Sequence, residues 1–143
     1  FMGSTFVGVA RAALEHAVQY AKERIQGGLP IIRHQAVKLR LFEMFRKVEA
    51  ARSLNRRAVA YNMVNNPFAG APAGAFPAVQ YAIASKVTST QTAFEVASDA
   101  LQVFGGNGLS REYPIEKLLR DARASLIEDG ANDVLALHAA DKF

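Results

Sequence analysis

Gln102-Val-Phe-Gly-Gly-Asn-Gly-Leu-Ser-Arg-Glu-Tyr-Pro-Ile-Glu-Lys-Leu-Leu-Arg-Asp121 is the stretch around which the rest of the chain is ordered. A long helical pattern ends at Phe104, and Gly105, Gly106 and Gly108 then interrupt it in quick succession. Tyr113-Pro114 marks a restart, because proline suits the first helical position, where its missing amide hydrogen costs nothing. Such an interruption is either a plain glycine helix stop or a place where backbone comes close to another group.

Upstream of it, a helical pattern runs from about Phe76 to Phe104, with Val79, Ile83, Val87, Thr90, Phe94, Ala97, Leu101 and Phe104 on one stripe. The first helical stripe spans Ser4 to Gln26 through Val7, Ala10, Leu14, Ala17 or Val18, Ala21 and Ile25, and Gly27-Gly28-Leu29-Pro30 ends it. A second pattern covers Arg33 to Asn65 through Val37, Leu41, Met44, Val48, Ala51, Leu54, Ala58 and Tyr61, long against a mean helix of about 11–12 residues. The Gly/Pro/Ala-rich stretch from Asn65 to Ala75 reads as a loop rather than a domain linker, since the helices on its two sides each carry an apolar stripe that needs the other. Two short helices are expected downstream, Pro114 to Ala122 and Ala131 to Ala140. No strand signal competes, so residues 1–143 are expected to form a single all-α domain. It is an antiparallel helical bundle of three long helices plus two short C-terminal ones.

Composition removes several functions. The chain has no cysteine, which excludes a disulfide framework and thiolate chemistry, and His16, His34 and His138 are too scattered to suggest a metal site. No apolar run is long enough to span a bilayer and no signal-peptide pattern is visible, so the expected compartment is the cytoplasm, with the mitochondrial matrix as the alternative. The chain opens inside an apolar pattern and therefore reads as a piece of a longer protein. Its net charge is +4, with Arg40, Arg46, Lys47, Arg52, Arg56 and Arg57 clustered. This cluster reads as a surface for nucleic acid or CoA phosphate, or as the solvated face of a long helix; the helix face is preferred. No aromatic residues alternate with the arginines as a single-strand binder needs, so nucleic acid is not an expected partner.

Two segments resemble the C-terminal helical domain of the acyl-CoA dehydrogenase family, and the resemblance covers nearly the whole chain. Tyr20-Ala-Lys-Glu-Arg-Ile-Gln-Gly-Gly-Leu-Pro-Ile31 is similar to the family's Tyr-Ala-x-x-Arg-x-x-Phe-Gly-x-Pro-Ile. Asp99-Ala-Leu-Gln-Val-Phe-Gly-Gly-Asn-Gly108 is similar to its Asp-Ala-Val-Gln-Ile-x-Gly-Gly-x-Gly. The resemblance implies FAD as cofactor. It makes Arg24 a ligand of the FAD phosphates of a neighbouring subunit, a task suited to a guanidinium fork. It places Gln26, His34 and Val37 along FAD, Gln102 at the pyrophosphate or ribose, and Gly105 and Gly106 where backbone amides approach phosphate. One departure is Gly27, where the family usually has phenylalanine. The resemblance also implies an acyl-CoA substrate, a homodimer or tetramer, and an electron-transfer flavoprotein as acceptor. The family's N-terminal helical domain and middle β domain have no counterpart here, so this chain alone is expected to have no dehydrogenase activity.

Downstream, the family reads Ile-Tyr-Glu-Gly-Thr, and its glutamate is in many members the base that takes the substrate's α-proton. Anchoring on Ile127 and Gly130 puts Asp129 at that position, with Glu128 in place of the tyrosine as the alternative acid and Ala131 in place of the threonine. Asp is one methylene shorter than Glu, a reach deficit of about 1.5 Å. Three readings stand at this point: Asp129 is the base, the base lies upstream of Phe1, or the chemistry has been lost. Asp129-Gly130 also reads as an ordinary turn before a helix, with Asn132 suited to be its cap. The corresponding functions are an acyl-CoA dehydrogenase, a non-catalytic helical dimerisation or FAD-retention module, and a related oxidase or monooxygenase.

Overall fold

The computed structural model of the chain describes residues 1–65 and 79–143. Among the described residues, five α-helices form the bundle: α1 (Met2–Glu23), α2 (Gln35–Asn65), α3 (Val79–Phe104), α4 (Ile115–Ala124) and α5 (Asn132–Ala140). Beyond Asn65, the Gly/Pro/Ala stretch lies outside the described residues, as do the expected first residues of the third helix at Phe76 to Ala78.

The chain runs up α1, down α2 and up α3, so α1 and α3 are parallel and α2 is antiparallel to both. α3 is the central element, packing on α1, α2, α4 and α5. Its contact with α1 is the most extensive, and it is made of small residues. Ala10, Ala13, Ala17 and Ala21 of α1 and Ala93, Ala97 and Ala100 of α3 are all completely buried. Alanine gives these two backbones room to approach while keeping the best helix propensity. Met44, Val48, Leu41 and Ala51 of α2 fill the other side of the core.

The central position of α3 corrects its expected stripe. Val87, Phe94 and Leu101 are only partly buried, whereas Ser85, Lys86, Ser89, Ala93, Val96, Ala100 and Val103 are buried as well. A helix contacted on several sides has a buried arc wider than a single 3.6-period stripe.

A second correction concerns the end of α1. The helix stops at Glu23, with Arg24 as an extended C-cap, and a small hairpin follows in which β1 (Ile25–Gln26) pairs antiparallel with β2 (Leu29–Pro30). Gly27 and Gly28, with φ of 65° and 80°, supply the two left-handed residues of a tight hairpin turn. Ile25, expected on the α1 stripe, is exposed in this hairpin. One 3-10 turn, Ile31–Arg33, then leads into α2.

The opening stretch folds as expected at Phe104 and is more regular beyond it. Gly105 takes φ 59°, and Gly105–Leu109 form a 3-10 helix before α4 begins at Ile115, with Pro114 as its N-cap. The basic residues of α2 are largely paired. Arg40 donates to Asp99 at 2.6 Å, Lys47 lies 2.8 Å from Glu95, and Arg46 and Arg52 bond Glu43 and Glu49 one turn away on α2. Arg57 lies over the Tyr81 ring. No helix among the described residues is long and apolar enough to cross a membrane, and no group of three acid, histidine or cysteine side chains among them could hold a metal ion.

Two stability predictions follow from this packing. A Cβ on Gly108 would lie 2.9 Å from the Leu101 carbonyl oxygen and 3.0 Å from Phe104 Cβ. Gly108→Ala is expected to lower the unfolding free energy of the chain by about 1–3 kcal/mol in urea titrations, because a backbone carbonyl cannot give way as a flexible side chain can. The second concerns pH. The hydrogen bond from Lys47 holds the Glu95 carboxyl below its usual value, against desolvation. A lowered carboxylate pKa contributes stability above the unfolded pKa, and that contribution is lost as pH falls through the folded value. The thermal midpoint of Glu95→Gln is therefore expected below that of the parent at pH 7 and equal to it once pH has fallen below the ordinary glutamate range. The difference is small, since a half-exposed pair contributes about 0–1 kcal/mol.

Candidate functional site

The parallel arrangement of α1 and α3 collects the seven expected cofactor residues at one end of the bundle. That end contains the C-terminus of α1, the hairpin, the N-terminus of α2 and the C-terminus of α3. An aromatic group closes it. Tyr20 stacks on Phe104 with ring centroids 4.1 Å apart, and Tyr113 meets both rings edge-on at 5.9 and 5.2 Å. Asn107 Nδ2 donates to the Tyr20 hydroxyl at 3.0 Å, which ties the glycine turn to α1. The role of Asn107 was not anticipated from the sequence.

Arg24 is exposed, and among the described residues its side chain has no ion-pair partner. Its backbone is fixed by two hydrogen bonds, from its own N–H to Tyr20 O and from Ile31 N–H to its carbonyl, both 2.8 Å. Gln26 and Gln102 are exposed, and among the described residues their side-chain amides have no protein hydrogen-bond partner. His34 Nε2 lies 2.9 Å from the Gln26 carbonyl oxygen; since a carbonyl only accepts, that nitrogen carries the proton. The imidazole thus braces the hairpin and sits 3.4 Å from where a Cβ on Gly27 would be. A phenylalanine at position 27 would have to share space with this ring and adopt a left-handed φ. Val37 is half-buried on the first turn of α2 and packs against the core. Gly105 and Gly106 are exposed, and a Cβ on either would meet no atom within 4 Å. Their backbone therefore faces open space. A free guanidinium, two free amides and an unshielded glycine backbone on one rim are a donor set that fits a pyrophosphate.

The acid pair lies at the other end. Asp129 lines a cavity of about 350 Å³ whose walls include Phe1, Met2, Asn55, Val59, Ile83 and Lys86; Glu128 does not reach it. Asp129 has φ 52°, the one left-handed non-glycine among the described residues, and Gly130 follows at 98°. The turn is closed by the Asn132 amide donating to Leu126 O at 3.0 Å. Asn132 is not the helix cap expected of it. Ala131 holds the N-cap position, and the Asn132 side chain turns inward, with Nδ2 donating to Thr90 Oγ1 at 3.0 Å and Oδ1 accepting from Lys86 Nζ at 2.8 Å. Lys86 also donates to Gly130 O at 2.8 Å. Burial pushes the Lys86 ammonium below its usual pKa, while Asp129 and then Glu128 act to raise it. Lys86 escaped the sequence reading, although its place three residues after Ile83 and four before Thr90 put it on the buried face.

A tight passage supports the cavity wall. Asn55 Nδ2 donates to Ser4 Oγ at 3.0 Å, and Ser85 Oγ donates to Asn55 Oδ1 at 2.9 Å, joining α1, α2 and α3. A Cβ on Gly3 would lie 2.5 Å from Asn55 Oδ1 and 2.8 Å from Ser85 Oγ, so glycine is what lets this network form.

The two ends are well separated. Lys86 and Gln102 are both on α3, and sixteen helical steps at about 1.5 Å each put them about 24 Å apart along its axis. The candidate base and the candidate cofactor contacts of one chain therefore do not form one site.

Comparisons with known proteins bear on the family and the fold. A family profile described as acyl-CoA dehydrogenase, C-terminal domain, matches residues 2–143. The short-chain-specific acyl-CoA dehydrogenase of Megasphaera elsdenii is 38% identical over 128 residues, covering 90% of this chain and 31% of that protein. The butyryl-CoA dehydrogenase structure from Megasphaera elsdenii superposes with a TM-score of 0.87 at 32% identity, covering 99% of this chain and 34% of that one. The FAD complex of PigA superposes with a TM-score of 0.83 at 28% identity, covering 98% of this chain and 34% of that one. The chain spans about a third of the length of the curated relatives it matches.

Proposed function

The chain belongs to the acyl-CoA dehydrogenase family, as its C-terminal domain, and from that premise we propose that it serves an FAD-dependent enzyme that introduces an α,β double bond into an acyl-CoA thioester. The observation that carries this reading is the separation of its two sets of residues. Arg24, Gln26, His34, Val37, Gln102, Gly105 and Gly106 gather at one end, and Asp129 lines a cavity at the other. A chain built this way completes two different sites. Its cofactor end serves the flavin of a neighbouring copy, and its cavity end serves its own substrate, which calls for a homodimer or a dimer of dimers.

At the cofactor end, Arg24 would hold the pyrophosphate by charge-assisted hydrogen bonds, with Gln26 and Gln102 as neutral partners and the Gly105–Gly106 backbone allowing close approach. The adjacent C-terminus of α3 carries partial negative charge and works against phosphate, which makes the Arg24 cation necessary. His34 fixes the hairpin that presents Gln26, and Val37 offers an apolar surface beside it. FAD, when bound, accepts the hydride that leaves the substrate's β-carbon. In the cavity, Asp129 is the base that removes the α-proton, so the substrate loses one proton and one hydride and becomes the enoyl thioester. The apolar side chains of Met2, Val59 and Ile83 line the cavity where the acyl chain would lie. An electron-transfer flavoprotein would be the acceptor of the electrons. The remaining two domains of the family are proposed to lie in the parent protein, and the 143-residue chain alone is inactive.

The test is anaerobic flavin bleaching by saturated acyl-CoA thioesters, from butyryl- to palmitoyl-CoA, in the full-length protein. The parent is expected to bleach. Asp129→Asn is expected to retain FAD and slow bleaching by about 10²–10⁴, the usual contribution of a positioned base, with Glu128→Gln close to the parent. Bleaching that survives Asp129→Asn would remove Asp129 from the chemistry, and bleaching by no thioester would leave an assembly module. Arg24→Gln is expected to weaken FAD retention by about 10- to 150-fold, the value of a charged hydrogen bond. Co-expression of Asp129→Asn with Arg24→Gln then separates the half-sites. Mixed dimers carry one intact site made of Asp129 from one copy and Arg24 from the other, so roughly a quarter of the parent activity should return from statistical pairing. No recovery would place both residues in one copy's site.

A further inference from the structure

Lys86 is a cation in a place where a neutral side chain would cost less. It is 8% exposed and sits on the buried face of α3. Desolvating an ammonium is expensive unless it is paired and hydrogen-bonded. Its Nζ bonds Gly130 O and Asn132 Oδ1, both at 2.8 Å. Asn132 Nδ2 is in turn held by Thr90 Oγ1, whose hydroxyl donates back to the Lys86 carbonyl oxygen at 3.0 Å. The network therefore closes on α3 itself. The turn it holds contains two successive left-handed residues, Asp129 and Gly130, a conformation that L residues enter at a cost. Among the described residues, Lys86 is the one side chain that donates to a backbone carbonyl of this turn.

We propose that Lys86 is a positioning residue for the acid turn: it anchors Glu128–Gly130 through the Gly130 carbonyl and thereby holds the Asp129 carboxylate in place at the cavity. The proposal rests on the reading of Asp129 as the base and goes beyond it by naming what holds that base. The charged groups facing the cavity from each element are few. α2 brings the neutral amides Asn55 and Asn62, α1 and α5 bring apolar side chains, α3 brings Lys86, and the turn brings Asp129.

The experiment uses the full-length FAD-loaded enzyme with Lys86→Met, Lys86→Gln and Lys86→Arg, and the acyl-CoA that bleaches the parent fastest. The rate of flavin reduction is followed against acyl-CoA concentration, and amide hydrogen exchange is followed over residues 127–132. Lys86→Met is expected to slow the limiting rate of reduction about tenfold or more with little change in half-saturation, and to speed exchange in the turn. Lys86→Gln keeps a donor at this position, so it should restore part of the rate and part of the exchange protection; it carries the test if the Met variant does not fold. Lys86→Arg, which keeps donors and charge, should restore more of both. A parent-like limiting rate and parent-like exchange in both Lys86→Met and Lys86→Gln would overturn the proposal. Asp129→Asn is run beside them to keep the two ideas apart. If it bleaches normally, the base reading fails, and exchange over 127–132 alone then decides whether Lys86 anchors the turn. If it is dead and the Lys86 variants match the parent in both measurements, the base reading stands and the proposal falls.

Discussion

The close approach of α1 and α3 is the constraint on which the rest of the molecule depends. Seven buried alanines, four on α1 and three on α3, form that seam. Each alanine buries little area, so the seam contributes through proximity rather than through large side chains. Proximity is what the ends need. At one end it lets Tyr20 of α1 stack on Phe104 of α3, and at the other it lets Gly3 pass within reach of Ser85 and Asn55. Larger residues in the seam would push the helices apart and loosen both ends together. The candidate cofactor rim and the candidate substrate cavity are thus consequences of one packing decision, expressed at the two ends of a parallel pair.

That geometry also sets the chemistry. A rigid helix with about 24 Å between Lys86 and Gln102 keeps the two candidate ends of one copy apart. The proposed function answers this by symmetry: in a two-fold assembly, each copy would give its candidate cofactor end to the other. The exposed apolar residues of α2 and α5, including Leu39, Phe42, Phe45, Val134 and Leu137, are more surface than a bundle of this size needs to leave open, and they are in keeping with such an assembly.

Much of this was legible in the sequence, for reasons that can be named. The long stripes gave the helices because their period is 3.6 and their ends are marked by glycine and proline. The glycine turn after Phe104 was legible as a stop because three glycines in four positions admit little else. The hairpin at Ile25–Pro30 was missed because two residues per strand leave no alternation to read, although the Gly27-Gly28 pair is itself a hairpin signal. The inward turn of Asn132 was missed because its residue type favours a cap, and the stronger demand came from outside the segment, from a buried ammonium 46 residues away. Lys86 was missed for the complementary reason. Periodicity arguments track apolar residues, so a charged residue on the buried face is counted as noise, when it is the most informative position on the helix.

The acid turn shows how a departure from a family pattern can be internally consistent. Position 129 has a left-handed backbone, and aspartate enters that region more readily than glutamate because its short side chain can bond locally. The shorter acid lowers the cost of the turn and gives up about 1.5 Å of reach. A base with less reach tolerates less movement of its backbone, since it has fewer torsions with which to correct a displaced turn. The fixed carbonyl of Gly130, held by Lys86 from the rigid centre of α3, supplies that immobility. On this account the short acid and the buried lysine are coupled: a longer side chain at 129 would depend less on the anchor, and Asp129→Glu should therefore make the rate of flavin reduction less sensitive to the loss of Lys86.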